Sequence, residues 1–216
     1  MIEVKNTSLD KIKCLNILVY GTAGTGKTYA IESLPNPIVI NAEKGLLTLQ
    51  NKNIDYIDIK SMSELSDVYE WLKFAPEAQK YQSIAIDSLS EISEFCLERE
   101  LELAKDPRQA YGELKIKMRK LINLFKELDK HKYIITSLDL KEDEFGKPLY
   151  SPMIPGSFTK QISHYFDVVM SSQKIDGEYA FRCIGNYNYI AKDRSSKLKE
   201  HERQNLSDII KKVVGE

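Results

Sequence analysis

The sequence predicts an α/β protein: a mostly parallel sheet flanked by helices, with a C-terminal β-hairpin. Three observations predict it. Short apolar runs alternate with segments of helical period. The first apolar run leads straight into a glycine-rich loop that opens a helix. The chain has 216 residues, 42% hydrophobic and 29% charged, enough for one domain (1–216) with an apolar core.

The elements follow in order. Residues 14–20 (CLNILVY) read as a buried strand. Residues 28–34 read as a helix stopped by Pro35 and Pro37. A second strand covers 38–41 (IVIN). Residues 63–74 form a helix with Ser63 as N-cap and Leu65, Val68 and Leu72 on one face. A third strand, SIAID, ends in Asp87, and 89–103 is helical. A longer helix carries Leu114, Met118, Leu121, Phe125 and Leu128 at helical spacing. A fourth strand covers 133–136 (YIIT). Residues 139–160 hold Gly146, Pro148, Pro152, Pro155 and Gly156 and read as a long loop or short hairpin, of a length usually tied to function. Residues 167–170 and 179–184 form a hairpin across Asp176-Gly177. The C-terminal helix lies within 204–216, with Leu206, Ile209, Ile210 and Val213 on one face.

Charge and cysteine content exclude several classes. Lys+Arg is 31 and Asp+Glu 32, for a net charge of −1, so a globally basic nucleic-acid coat is excluded and any such contact must be a local patch. Cys14, Cys96 and Cys183 lack metal-ligand or CxxC spacing and read as buried thiols in a reducing cytosol. No run of eighteen apolar residues exists, and the N-terminal MIEVKNTSLDKIK lacks a signal peptide's apolar region, so a cytoplasmic location is expected.

The chemistry concentrates in GTAGTGKT, residues 21–28, a full G-x-x-x-x-G-K-[ST] (Walker A) match. Gly21, Gly24 and Gly26 permit a tight loop, and the amides of Thr22, Ala23 and Thr25 join theirs in facing phosphate oxygens. Lys27 supplies a cation for the β- and γ-phosphates, and the Thr28 hydroxyl suits Mg²⁺. ATP and Mg²⁺ are the expected cofactors. Asp87 is placed to hold the metal through water. Ser88 follows it, so a water-activating carboxylate must come from elsewhere. Glu43, just after the second strand, is the candidate. Lys192 and Arg194, at i and i+2, could bring cations to a neighbouring subunit's nucleotide.

Together these motifs resemble a RecA-like P-loop ATPase, and more narrowly the small phage-encoded ATPases grouped with single-strand annealing proteins. The resemblance runs from residue 15 to 210. It rests on GTAGTGKT, INAEKG, SIAIDS, DPRQAYGEL, SPMIPGS before FDVV, and AKDRSSKL. It implies Glu43 as catalytic glutamate, Lys192 and Arg194 as a finger acting in trans, and Thr136 or Ser137 as γ-phosphate sensor. It also implies a homo-oligomeric ring or filament acting on single-stranded DNA in recombination, with a single-strand binding protein as a further candidate partner. The DNA loop would be 139–160, with Lys147 and Lys160. Its tip also carries Glu142, Asp143 and Glu144. The helix holding Arg108, Lys115 and Lys117 is more basic. Two other readings stay open: a nucleotide-gated loader without strong turnover, and a small-molecule kinase, for which the 139–160 loop lacks arginine.

Overall fold

The computed structural model describes residues 13–142 and 145–215. The N-terminal segment read above for a signal peptide lies, up to residue 12, outside the described residues, as do Asp143 and Glu144.

The elements are β1 (Asn16–Gly21), β2 (Pro37–Asn41), β3 (Asp55–Asp58), α1 (Met62–Phe74), β4 (Ser83–Asp87), α2 (Leu89–Leu103) and α3 (Pro107–Lys126). Then come β5 (His131–Glu142), β6 (Pro148–Pro152), α4 (Thr159–Ile162), β7 (Val168–Ile175), β8 (Glu178–Arg182), β9 (Lys192–Asp193), β10 (His201–Arg203) and α5 (Leu206–Val214). Six strands run parallel in the order β3-β2-β4-β5-β1-β7, and β8 and β10 extend the sheet antiparallel.

Strand alternation divides the core between the two sheet faces. Leu18, Ile40, Ile86 and Ile134 face α1, α2 and α3, which contribute Leu72, Ile92, Met118 and Phe125. Ile17, Val19, Val39, Ala85 and Ile135 face the other way, against Ile31, Phe181 and the Leu206, Ile209, Ile210 and Val213 face of α5. Both faces of β1, β2 and β4 are covered, so these strands read as nearly unbroken apolar runs.

Helix starts follow side-chain capping. Ser61, rather than the expected Ser63, accepts from the Glu64 amide and starts α1 two residues earlier. Ser88 caps α2, Asp106 caps α3 ahead of Pro107, and Asn205 caps α5. The expected helix at 28–34 is a 3-10 turn, Tyr29–Ser33. Pro35 and Pro37 leave too few residues for an α-helical ladder to propagate.

Three strands carry no sequence signal. β3 is a largely exposed edge strand, and β9 and β10 are too short to show a period. β5 runs well past the expected 133–136: residues 138–142 pair with β6 alone, so half of the expected loop is a two-stranded hairpin. β7 and β8 pair across Asp176 and Gly177, both at positive φ (50° and 88°), the geometry of a two-residue primed turn. The three thiols are free; Cys96 and Cys183 are buried, whereas Cys14, just ahead of β1, is only half-buried, and burial pushes Cys96 up to about 11 and Cys183 to about 12. Among the described residues no helix is long and apolar enough to cross a membrane.

Candidate functional site

Parallel strands place their C-terminal ends along one sheet edge, where connections turn back and leave a crevice. β1 delivers Gly21 to this edge between β5 and β7. The loop then turns through Gly24 (φ 77°) and Gly26 (φ 88°). A Cβ at Gly21 would meet the Ser172 carbonyl oxygen at 2.7 Å, so the close approach of β7 requires glycine there. Thr22, Ala23 and Gly24 form the exposed crest, and the Thr25 hydroxyl donates to the Thr22 carbonyl at 2.9 Å. Lys27 lies across the loop, its Nζ donating to the carbonyls of Gly21 (2.8 Å) and Thr22 (2.9 Å). Burial lowers its pKa, while Asp87 and Glu43 act against that. The Tyr133 hydroxyl donates to the Lys27 carbonyl from beneath at 3.0 Å.

β4 delivers Asp87 to the same edge. The Thr28 hydroxyl donates to Asp87 Oδ2 at 2.6 Å. Asp87 is only 3% exposed, and its Oδ1 is buried with no hydrogen-bond donor. A buried carboxylate oxygen without a partner is costly, and a metal-bound water is a donor that would satisfy it. The donor set, one hydroxyl and one carboxylate, is hard oxygen and fits Mg²⁺. Burial pushes the Asp87 pKa up to about 6; the Thr28 hydrogen bond and Lys27 oppose this, and the Glu43 carboxylate beside it reinforces it.

Glu43 reaches that position because the chain leaving β2 bends over the end of β4. The amides of Ala42 and Glu43 both donate to the Asp87 carbonyl, at 2.7 and 3.2 Å. Lys44, at φ 59°, closes the turn, its amide held by Asn41 Oδ1 at 3.1 Å. Glu43 remains exposed, where a water molecule can approach it.

Register separates the two sensor candidates. Thr136 pairs with Tyr20 and Ser137 with Gly21. Thr136 shares the α1–α3 face with Ile134, is fully buried, and its hydroxyl has no partner. Ser137 follows the parity of Tyr133 and Ile135 toward the face bearing Thr28, level with the start of the phosphate loop, and is half-buried.

Lys192 and Arg194 are not brought to this chain's own phosphate loop. β9 pairs with Val168 and Val169 at the start of β7, toward the opposite sheet edge. Lys192 Nζ donates to the Ser163 carbonyl (2.5 Å), and Arg194 binds Asp167 (3.1 Å) and the His164 carbonyl (2.8 Å).

Among the basic residues, Arg108, Lys147 and Lys160 are exposed and Lys115 is half-buried. Lys117 is ion-paired with Glu100, a nearly buried carboxylate on α2, and so ties α3 to α2.

Sequence reading missed two residues that hold the loop, Ser172 and Gln204. Both donate to the Thr25 carbonyl. No motif marks either, because each reaches the loop only through the folded sheet.

The family model described as AAA domain matches residues 13–195 of the chain. No curated protein matches it.

Proposed function

The chain belongs to the AAA-domain family, and from that premise we propose that it acts as a Mg²⁺-dependent homo-oligomeric ATPase on single-stranded DNA, in recombination of the phage type. Nucleotide-binding ATPase activity follows from the family itself. The observation that carries the catalytic assignment is the convergence of Thr28, Asp87 and Glu43, from three separate elements, at the mouth of the phosphate loop.

The residues take distinct roles. The loop amides and Lys27 bind the phosphates, and Lys27 gives up its two carbonyl contacts to do so. Magnesium would be held by the Thr28 hydroxyl and, through water, by Asp87, and when bound it neutralises charge on the β- and γ-phosphate oxygens. Glu43 orients the attacking water and takes its proton. Ser137, rather than Thr136, meets the γ-phosphate. A strand between the phosphate-loop strand and the Asp87 strand, carrying a polar residue, Ser137, level with Gly21, supports the RecA-like reading.

The β5–β6 hairpin leaves the same sheet edge as the phosphate loop and supports the DNA reading. Phe145 is 77% exposed and Lys147 is exposed beside it. Aromatic rings with nearby cations suit stacked, single-stranded bases. Arg108 and Lys160 add cations for the backbone.

Glu43→Gln is the test. ATP binding should persist while steady-state turnover falls by about 10²–10³-fold. Wild-type turnover per chain should rise with protein concentration and with single-stranded DNA. Lys192→Ala should abolish the concentration dependence. Unchanged turnover in Glu43→Gln removes Glu43 from the mechanism, and indifference to DNA removes the recombination role.

A second reading, a nucleotide-gated loader with little turnover, is favoured by one observation. Lys192 and Arg194 are tied to their own protomer, so neither is presented to a neighbour without breaking those bonds. A loader with Glu43→Gln would keep its loading activity.

A further inference from the structure

Gln204 lies outside the residues matched by the family model and outside every motif of the sequence. It sits between β10 and α5, 179 positions from Thr25, yet its side chain rests on the phosphate loop. Its Nε2 donates to the Thr25 carbonyl at 2.8 Å, to Ser172 Oγ at 2.8 Å and, more weakly, to the Ala180 carbonyl at 3.3 Å. Ser172 Oγ donates in turn to the same Thr25 carbonyl at 2.8 Å.

The backbone carbonyls accept only, so the amide nitrogen must face them and Oε1 must face away. Oε1 then lies over Gly26: a Cβ built there would meet it at 2.4 Å and the Tyr179 ring at 3.2 Å. Gln204 and the third loop glycine are therefore fitted to one another.

In a trans peptide the carbonyl and the following N–H point in opposite directions. Two donors pin the Thr25 carbonyl toward β7 and the segment between β10 and α5. The Gly26 N–H is thereby turned to the concave side of the loop, where phosphate oxygens bind. The segment carrying Gln204 is itself anchored beside the loop. The Leu206 amide donates to Ser33 Oγ at 2.8 Å and Ser207 Oγ to the Ser33 carbonyl at 2.5 Å.

We infer that Gln204 is a positioning residue of the nucleotide site: with Ser172, it sets the orientation of the Thr25–Gly26 peptide, so that the C-terminal segment beyond the family domain completes the phosphate loop. This rests on the reading of residues 21–28 as a triphosphate site. Because Gly26 N–H would meet phosphate in the ground and transition states alike, the loss should fall on binding rather than on chemistry.

The test compares the 216-residue wild-type chain with Gln204→Met, which keeps the volume but has no donor, and with Gln204→Ala. Dissociation constants for Mg-ATP and Mg-ADP, steady-state kinetics and ligand-free melting temperatures are measured on each. Both variants should bind ATP and ADP about tenfold more weakly, as one lost hydrogen bond at a phosphate site implies. KM should rise with kcat held within about twofold, at an unchanged ligand-free melting temperature. Adding Ser172→Ala to Gln204→Ala should weaken binding by more than the product of the single effects, because each single variant keeps one donor on Thr25. Wild-type affinity in either variant overturns the inference. So does a loss of affinity that tracks a fall in ligand-free melting temperature, which would assign a structural role alone. Lys27→Ala separates the two levels. If the wild type binds and Lys27→Ala does not, a normal Gln204→Met sinks this inference alone; if the wild type shows no binding, the phosphate-loop reading falls and takes the inference with it.

Discussion

The two halves of β5 meet very different environments. Up to Ser137 the strand lies between β1 and β4, its side chains buried from Lys132 to Thr136. From Leu138 onward it leaves the sheet and pairs only with β6, and Leu140 is 58% exposed. The first half supports the phosphate loop through the Tyr133 hydroxyl and brings Ser137 level with Gly21. The second half builds the hairpin proposed for DNA. Burial goes with the half that lies under the phosphate loop, and exposure with the half proposed to meet a flexible polymer. A two-stranded ribbon has little core of its own, so this hairpin is held from outside. Tyr150 stacks on Tyr189 with ring centroids 4.5 Å apart, and Asn188 donates to the Pro148 carbonyl at 2.8 Å.

Substitutions at the buried sheet edge, where β4 and the first half of β5 lie side by side, should therefore act on turnover and stability, and those at the hairpin on DNA alone. Of three substitutions, at Asp87, Lys147 and Lys117, the largest effect is expected at Asp87, at the end of the neighbouring strand β4. Asp87→Asn should lower Mg-dependent turnover by about 100-fold. It should also raise the ligand-free melting temperature at pH 7. The folded pKa of about 6 lies above the ordinary carboxyl value of 3.8, so the folded state binds a proton more tightly than the unfolded state. Asp87 therefore favours the folded, ligand-free chain most below pH 3.8, and that contribution is lost as pH rises to about 6. Thermal melts of both proteins across this window should show wild-type stability falling relative to Asp87→Asn, by on the order of 2 kcal/mol. Parallel curves would mean that Asp87 is not desolvated as described. The same proton competes with metal, so wild-type Mg-ATP affinity should drop as the pH is lowered through 6.

A smaller effect is expected at the hairpin. Lys147→Ala should weaken single-stranded DNA binding a few-fold and reduce its salt dependence by about one charge, with nucleotide affinity unchanged. Titrations at two salt concentrations read both. An equal loss of nucleotide affinity would erase the contrast between the two halves of β5. The smallest effect on DNA is expected at Lys117. Lys117→Ala should leave DNA binding at the wild-type level while lowering the melting temperature, because Glu100 is left nearly buried without its partner.

The glycines, Lys27 and Thr28 could be read before any fold was known, because a phosphate loop is a local object whose chemistry lies within eight consecutive residues. Asp87 was legible for a related reason: it ends an apolar strand, and parallel strands end at one edge. Glu43 needed the further step that β2 and β4 are neighbours. Ser137 and Thr136 stayed equivalent in sequence because the face a strand residue occupies depends on its partners. The ion pair that occupies Lys117 was hidden for a similar reason, since Glu100 lies on another helix.

The sequence by itself determined the phosphate loop, the strand that feeds it, the acid at the end of β4 and the amphipathic closing helix, all of them set by contacts between near neighbours or by simple periodicity. The tertiary structure alone decided which sheet face each of Thr136 and Ser137 occupies, where Lys192 and Arg194 rest, and that Gln204 reaches Thr25 from 179 positions away. Those outcomes depend on strand order and register, which arise from packing between distant segments and leave no pattern along the chain.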